Sequence, residues 1–214
     1  MLYQILKRLL DIVGSVLALI LFSPILIFTA LYIKLKSPNG PIFADIPQRI
    51  GKDGKEFRFL KFRSMIPGAH VWLQNNPEWL AKYKENNYKL DPKDDPRIIP
   101  GAYTHLMRKA SIDELPQFIN VLRGEMSIVG PRAYYPFEIK DQAVKFAIAP
   151  EIVSKVTSVK PGITGPWQVG GRSSINFDKR IQLDADYASK KSIWYDILLI
   201  LKTPYAVVTM KGAY

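Results

Sequence analysis

Ile12-Val13-Gly14-Ser15-Val16-Leu17-Ala18-Leu19-Ile20-Leu21-Phe22-Ser23-Pro24-Ile25-Leu26-Ile27-Phe28-Thr29-Ala30-Leu31-Tyr32-Ile33 is a run of 22 residues without a charge. A continuous helix of that length spans roughly 33 Å at ~1.5 Å per residue, about one bilayer hydrocarbon core. Lys7, Arg8 and Asp11 precede the run, and Lys34 and Lys36 follow it. A secretory signal has a shorter apolar region and a small-residue cleavage site, and neither is evident here. Ser23-Pro24 falls in the middle. Pro24 withdraws a backbone donor and clashes with the preceding turn, which predicts a kink. Ser23 offers a hydroxyl to the carbonyl that the proline leaves free. Both flanks are basic, whereas a spanning helix has one basic, cytoplasmic side. A segment that enters the membrane, breaks at Ser23-Pro24 and returns satisfies both facts. An ordinary spanning helix with a tolerated proline is the other reading, and the residues alone do not separate the two.

Outward from this run the chain reads as a folded, basic body. Of its 214 residues, 48% are hydrophobic and 23% charged, which is enough to bury a core and excludes wholesale disorder. The net charge of +11 is spread, with +4 over residues 1–60, +4 over 61–109 and +3 over 110–214. A basic body of this kind implies a polyanionic partner: nucleic acid, anionic lipid or a phosphorylated substrate. Cysteine is absent, which excludes disulfides, zinc-thiolate sites and thiol nucleophiles and fits a reducing compartment.

Ser37-Pro38-Asn39-Gly40-Pro41 is a turn cluster that ends the apolar element, dividing the chain into a membrane helix over 1–36 and one domain over 37–214. Residues 42–44 and 56–62 read as short strands around Gly51-Lys52-Asp53-Gly54, the second alternating apolar and charged residues. Residues 68–89 read as a helical excursion and 91–97 as a loop. Helices are predicted at 114–122, 136–147 and 176–190. Near the C-terminus Ile193, Trp194, Ile197, Leu198 and Leu201 recur at helical spacing. That stripe suits core packing or an interfacial helix with an aromatic anchor. The fold class is α+β and predominantly helical: a re-entrant helix broken at Ser23-Pro24, plus one compact domain with short strands and interfacial amphipathic helices.

The densest chemistry lies in Arg108-Lys109-Ala110-Ser111-Ile112-Asp113-Glu114-Leu115-Pro116-Gln117. Ser111-x-x-Glu114 has the form of a capping box, and Asp113 suits the positive end of a helix dipole. Pro116 fits better if the helix starts nearer Glu114, which leaves Asp113 exposed at its entrance. A carboxylate held at a helix N-terminus is ionised, hence a competent nucleophile or magnesium ligand. Its attack on a phosphate needs charge neutralisation by Mg²⁺ and arginines. Candidate arginines are Arg123, Arg132 in Val129-Gly130-Pro131-Arg132, and Arg172 in Gln168-Val169-Gly170-Gly171-Arg172. The preceding glycines let a backbone approach a ligand closely. His70 and His105 lack ligand-like spacing.

Residues 108–132, together with Lys61-Phe62-Arg63-Ser64-Met65, Asp95-Pro96-Arg97-Ile98, residues 161–169, Asp186-Tyr187 and Trp194-Tyr195-Asp196, closely resemble the blocks of the bacterial sugar transferase family, the monotopic phosphoglycosyl transferases, in family order. The apolar start resembles that family's re-entrant helix. The resemblance covers nearly the whole chain. It implies transfer of a sugar-1-phosphate from a UDP-sugar to undecaprenyl phosphate, releasing UMP, as the first membrane step of exopolysaccharide, capsule or O-antigen assembly. It implies Asp113 as the nucleophile that forms a phosphosugar intermediate, Glu114 as its dyad partner, and Mg²⁺ beside Asp113. Arg132 is implied as a phosphate ligand, and Lys61, Arg63, Arg108, Gln168 and Arg172 as further substrate-binding positions. By analogy with members that the 68–97 excursion and residues 210–214 resemble, the sugar is galactose or glucose. It also implies a monotopic protein of the bacterial inner membrane, its catalytic domain facing the cytoplasm and in contact with membrane lipid. A homo-oligomer is compatible with these features. The family's usual second proline after Pro131-Arg132 is replaced by Ala133, which predicts a less rigid loop. Two other readings use the same charge: a nucleic-acid binder, which lacks any recognisable motif and is not expected, and a silent membrane-surface scaffold, which has no use for the Asp113-Glu114 pair.

Overall fold

The computed structural model describes residues 2–86, 88, 90–171 and 175–209. Its first two helices, α1 (Leu2–Leu21) and α2 (Ser23–Lys36), are bent by 62° at Phe22. Pro24 has no N–H to offer the carbonyl of Ile20, and the Ser23 hydroxyl donates to that carbonyl at 2.8 Å instead. Neither helix alone is long and apolar enough to cross a membrane.

Both ends of the bent pair pack on the rest of the chain. Arg8 donates to the carbonyls of Val121 and Leu122 at 2.7 and 2.8 Å, capping the helix that contains them. Asp11 is buried and accepts from the Ser127 hydroxyl and the Ile128 N–H, each at 2.9 Å. Lys7 lies 3.1 Å from the buried carboxylate of Asp196, which also accepts from Tyr187 at 2.6 Å. The basic residues read as a membrane flank are thus engaged by the protein itself. At the far end Ile33 is buried with Phe62 and Met107, and Thr29 and Tyr32 meet Tyr103 and Thr104 through their hydroxyls. Between these anchors Leu17, Ile20, Leu21, Ile27, Phe28 and Leu31 are exposed.

The domain contains β1 (Arg49–Ile50), β2 (Glu56–Phe57), α3 (Ala69–Gln74), α4 (Pro77–Glu85), α5 (Ala102–Lys109), α6 (Gln117–Arg123), β3 (Ser127–Val129), α7 (Pro136–Lys145), α8 (Pro150–Thr157), β4 (Gly162–Thr164), α9 (Pro166–Gly170), α10 (Phe177–Lys190) and α11 (Ile193–Val208). With 61% of the chain helical and its strands short, the fold is predominantly helical. β1 and β2 pair antiparallel, Arg49 opposite Phe57, and β3 and β4 pair parallel, Ser127 opposite Gly162.

The strand expected over 56–62 stops at Phe57, and residues 42–44 contribute only a bridge between Phe43 and Phe62. The reason is that other partners take the segment's backbone groups. Asn120 of α6 accepts from the Leu60 N–H and donates to the Arg58 carbonyl, and the Phe62 N–H bonds the Asp113 carbonyl. The segment's backbone groups therefore find partners outside a ladder. Gly130 serves the fold rather than a ligand. A Cβ there would lie 2.4 Å from the Lys160 carbonyl oxygen, so the glycine lets the Val129-Gly130-Pro131-Arg132 turn press against β4. Ala133 is buried with Phe57 and Phe59, and its carbonyl accepts from Arg49 at 3.0 Å, so the loop after Arg132 is anchored without a second proline.

The C-terminal stripe is not core. Trp194 is 81% exposed, and Leu198, Leu201, Tyr205 and Val208 of α11 are exposed with it. α11 packs beside α1 and contributes Asp196 and Leu199 to the interior.

Candidate active site

Asp113 and Glu114 sit on a single 3-10 turn, Ile112–Glu114, between α5 and α6. Ser111 precedes it with a left-handed backbone, φ 57°, and its hydroxyl caps nothing. The capping-box reading therefore fails: α6 begins only after Pro116, whose ring occupies the position where the first helical N–H is unneeded. The turn also buries Asp113 rather than exposing it, to 1% of its surface, while the Glu114 side chain keeps 38% exposure. The bond from the Phe62 N–H to the Asp113 carbonyl fixes the preceding residue, Lys61, over the pair.

Lys61 Nζ lies 2.9 Å from Asp113 Oδ2 and 3.1 Å from Glu114 Oε1. The Lys61 ammonium thus pairs directly with the buried Asp113 oxygen as well as with Glu114. Burial pushes the Asp113 carboxyl up; Lys61 pulls it back, and Glu114 adds to the rise. Burial also works against the Glu114 charge, yet Lys61 and then Arg132 outweigh it and hold that carboxyl down to about 2. For Lys61 the two carboxylates outweigh burial, so its pKa is raised and the ammonium persists at neutral pH. Two adjacent carboxylates thus share one lysine, the outer one firmly ionised, the inner one dry and thinly solvated.

The other residues proposed from the sequence divide into groups. Arg108 reaches the dyad from α5, its Nη1 donating to the Ser64 hydroxyl at 3.0 Å. Arg132 is close enough to act electrostatically on Glu114. Its guanidinium lies over the Trp167 ring at 5.2 Å, and Gln168 follows Trp167 with its Oε1 buried and unpartnered. Lys61, Arg108, Arg132 and the Trp167-Gln168 pair thus belong to one neighbourhood. Arg63 does not. It is buried, and its guanidinium is committed to Pro41, Ser37 and Met65, bracing the chain as it leaves α2. Arg123 lies at the end of α6 opposite the dyad. Arg172 and residues 210–214 fall outside the described residues.

Sequence reasoning missed Arg49, Glu138 and Arg180. All three are buried. Glu138 is approached by Arg49, Arg180 and Arg132 at 3.9, 3.5 and 4.0 Å. The signal for Arg180 was present: it shares the buried face of α10 with Phe177, Ile181, Asp184, Ala185 and Ala188, so an arginine and an aspartate four apart stand at core spacing. Asp184 accepts from the Arg132 N–H and the Tyr134 hydroxyl, each at 3.0 Å, and burial pushes its carboxyl up to about 7.

Among the described residues no group of three or more metal-ligating side chains occurs. The dyad still suits one cation. Mg²⁺ is held by one or two carboxylates, with water and substrate phosphates completing its shell, and Asp113 and Glu114 set two carboxylates on one turn, the second with 38% of its side chain exposed.

Comparison with known proteins matches residues 2–210 to the family described as bacterial sugar transferase. The chain is 39% identical over 215 residues to an undecaprenyl-phosphate galactose phosphotransferase of Salmonella typhimurium, and 36% identical over 216 residues to the UDP-glucose:undecaprenyl-phosphate glucose-1-phosphate transferase of Escherichia coli K12. In each case 99% of this chain aligns with 42% of the relative. The exopolysaccharide production protein ExoY of Sinorhizobium fredii is 36% identical over 97% of this chain and 88% of its own length. The chain thus spans less than half the length of some curated relatives and most of another.

Proposed function

This chain belongs to the bacterial sugar transferase family, and from that premise we propose that it moves a hexose-1-phosphate, galactose or glucose, from a UDP-sugar to undecaprenyl phosphate through a covalent intermediate on Asp113. The observation that carries the reading is the dyad: a buried Asp113 and an outward Glu114 on one turn, bridged by Lys61 at 2.9 and 3.1 Å. The relatives' names supply the donor and acceptor classes, and their differing sugars leave the hexose to experiment.

The steps balance as two displacements at one phosphorus. An Asp113 carboxylate oxygen attacks the sugar-bearing phosphorus, the bond to the bridging oxygen breaks, and UMP departs with that electron pair. An oxygen of the polyprenyl phosphate then attacks the same phosphorus and releases the Asp113 carboxylate. Burial favours the first step because the attacking carboxylate carries little water to shed. Lys61 stays charged and offsets the repulsion between carboxylates and phosphates. Arg132 and Arg108 bring further positive charge to the transferring group. Mg²⁺, held by Asp113, would supply charge neutralisation of the phosphates.

The acceptor lies at a membrane surface, and the placement of the bent pair supports a monotopic arrangement. Both ends of α1–α2 return to the same domain, leaving an apolar tip between Val16 and Leu31. We assign the N-terminus and the domain to the cytoplasmic face of the bacterial inner membrane, where UDP-sugars are found. The test is a screen of UDP-sugars for UMP release in the presence of undecaprenyl phosphate and Mg²⁺. One UDP-hexose should support turnover; a uniform absence of UMP across the panel contradicts the function.

A further inference from the structure

Behind Arg132 the protein buries two further guanidinium groups. Arg49 and Arg180 are each more than nine-tenths buried, and with Arg132 they surround one carboxylate, Glu138. None of the three contacts is tight, at 3.5 to 4.0 Å. A carboxylate can hold one arginine in a close two-point pair; here it is shared three ways. Asp184, the other acid on this side, is spent on the Arg132 N–H and the Tyr134 hydroxyl.

The donors left over are the second observation. The Nε atoms of Arg49, Arg132 and Arg180 are buried without a hydrogen-bond partner, as is Nε1 of Trp167, whose ring lies under the guanidinium groups of Arg132 and Arg180 at 5.2 and 5.4 Å. Unmet buried donors and unpaired buried charge each cost free energy. At Arg132, whose side chain is partly open to solvent, one ligand class answers both, an anion that only accepts hydrogen bonds and carries more than one charge. A phosphate fits, and the dyad lies beside the cluster, since Arg49 and Arg132 both act on Glu114.

We propose that Arg132 is the contact face of a seat for the phosphate of the departing nucleotide, and that Arg49 and Arg180 hold this seat open by sharing the Glu138 carboxylate with Arg132. This rests on the nucleotide-sugar reading above and adds to it residues that the sequence did not single out. Arg132, with 27% of its side chain exposed, is the contact face. Arg49 and Arg180 are positioning residues: by drawing on Glu138 they keep it from closing on Arg132. Removing either lets Glu138 pair fully with Arg132 and compete with the incoming anion.

The test compares UMP with uridine, which differ only in the phosphate, by titrating the full-length detergent-solubilised protein. Wild type should prefer UMP. Arg180→Gln and Arg49→Gln should each cut the UMP-to-uridine affinity ratio by about tenfold, with uridine affinity unchanged. Arg180→Lys, which keeps the charge, should retain most of the ratio. Combining Arg180→Gln with Glu138→Gln should restore UMP affinity, because the competing carboxylate is gone. Should Arg180→Gln fail to fold, Arg49→Gln alone and with Glu138→Gln reads the same quantities. A ratio unchanged in the arginine variants, or a double variant no better than the single, overturns the seat and leaves the function standing. A wild-type protein that binds no UMP overturns both.

Discussion

Asp113 differs from Glu114 by one position and by nearly all of its solvent contact, and the chemistry assigned to each follows from that difference. Asp113→Asn keeps the shape and removes the anion, so turnover should fall by about 10³-fold or more, with thermal stability kept or raised because a buried charge is lost. Glu114→Gln should also slow turnover sharply; a normal rate with a lowered melting temperature would mean that Glu114 only braces the turn. Asp184 makes a pH prediction. Its carboxyl rises from 3.8 to about 7 on folding, mainly through burial. A raised acid costs nothing below the unfolded pKa near 4, costs progressively more between 4 and 7, and imposes its full penalty above 7. The melting temperature of Asp184→Asn relative to wild type should therefore climb as pH rises from 4 to 7.5. A flat difference would show that Arg132 and Tyr134 already compensate the charge. Residue placement was legible where a motif gathers the side chains and illegible where side-chain direction decides. The dyad, Lys61 and Arg132 stand together as the sequence suggested, but Arg63, two residues from Lys61, points the opposite way into Ser37 and Pro41.

At the scale of elements, the break at Ser23-Pro24 follows from the sequence because its cause is local: a missing N–H and a hydroxyl one residue away. The short strands did not follow, because the partners that pre-empt them, Asn120 and Asp113, lie some 50 to 60 residues further along the chain. The partners of the basic N-terminal flank were illegible for the same reason, since Lys7 and Arg8 find Asp196 and the α6 carbonyls across more than a hundred residues. The re-entrant geometry is testable with cysteines at the exposed positions Gln4 and Asn39, whose side chains, unlike those of Tyr3 and Ser37, make no hydrogen bond that substitution would break. In intact cells both should be shielded from an impermeant external thiol reagent. Ser23→Leu with Pro24→Ala restores an unbroken apolar helix of spanning length, and the Gln4 cysteine should then react from outside. Reaction of that cysteine in the unaltered helix pair would mean that the segment simply spans.

The whole molecule couples an apolar underside to a charged, partly dry site. Each arm of the exposed α1–α2 tip reaches roughly 10 Å, less than half of a ~30 Å hydrocarbon core, and the unpartnered face of α11 adds Trp194, Leu201 and Tyr205 beside α1. Arg8 ties the bent pair to the C-terminal end of α6, the helix that follows the dyad. On the monotopic placement proposed above, such an arrangement would bring a lipid-borne phosphate to Asp113 without carrying a charged group through hydrocarbon. The covalent intermediate proposed on Asp113 requires that nucleotide and lipid use the site in turn. The direct measurement is a lipid-free incubation with the cognate UDP-sugar and Mg²⁺, followed by UMP quantitation and peptide mass spectrometry. The account predicts about one UMP released per protein and a hexose-phosphate mass increase on the peptide containing Asp113, both lost in Asp113→Asn. Turnover with lipid present, but neither UMP burst nor mass increase without it, would contradict the account and point to direct transfer between the two bound substrates.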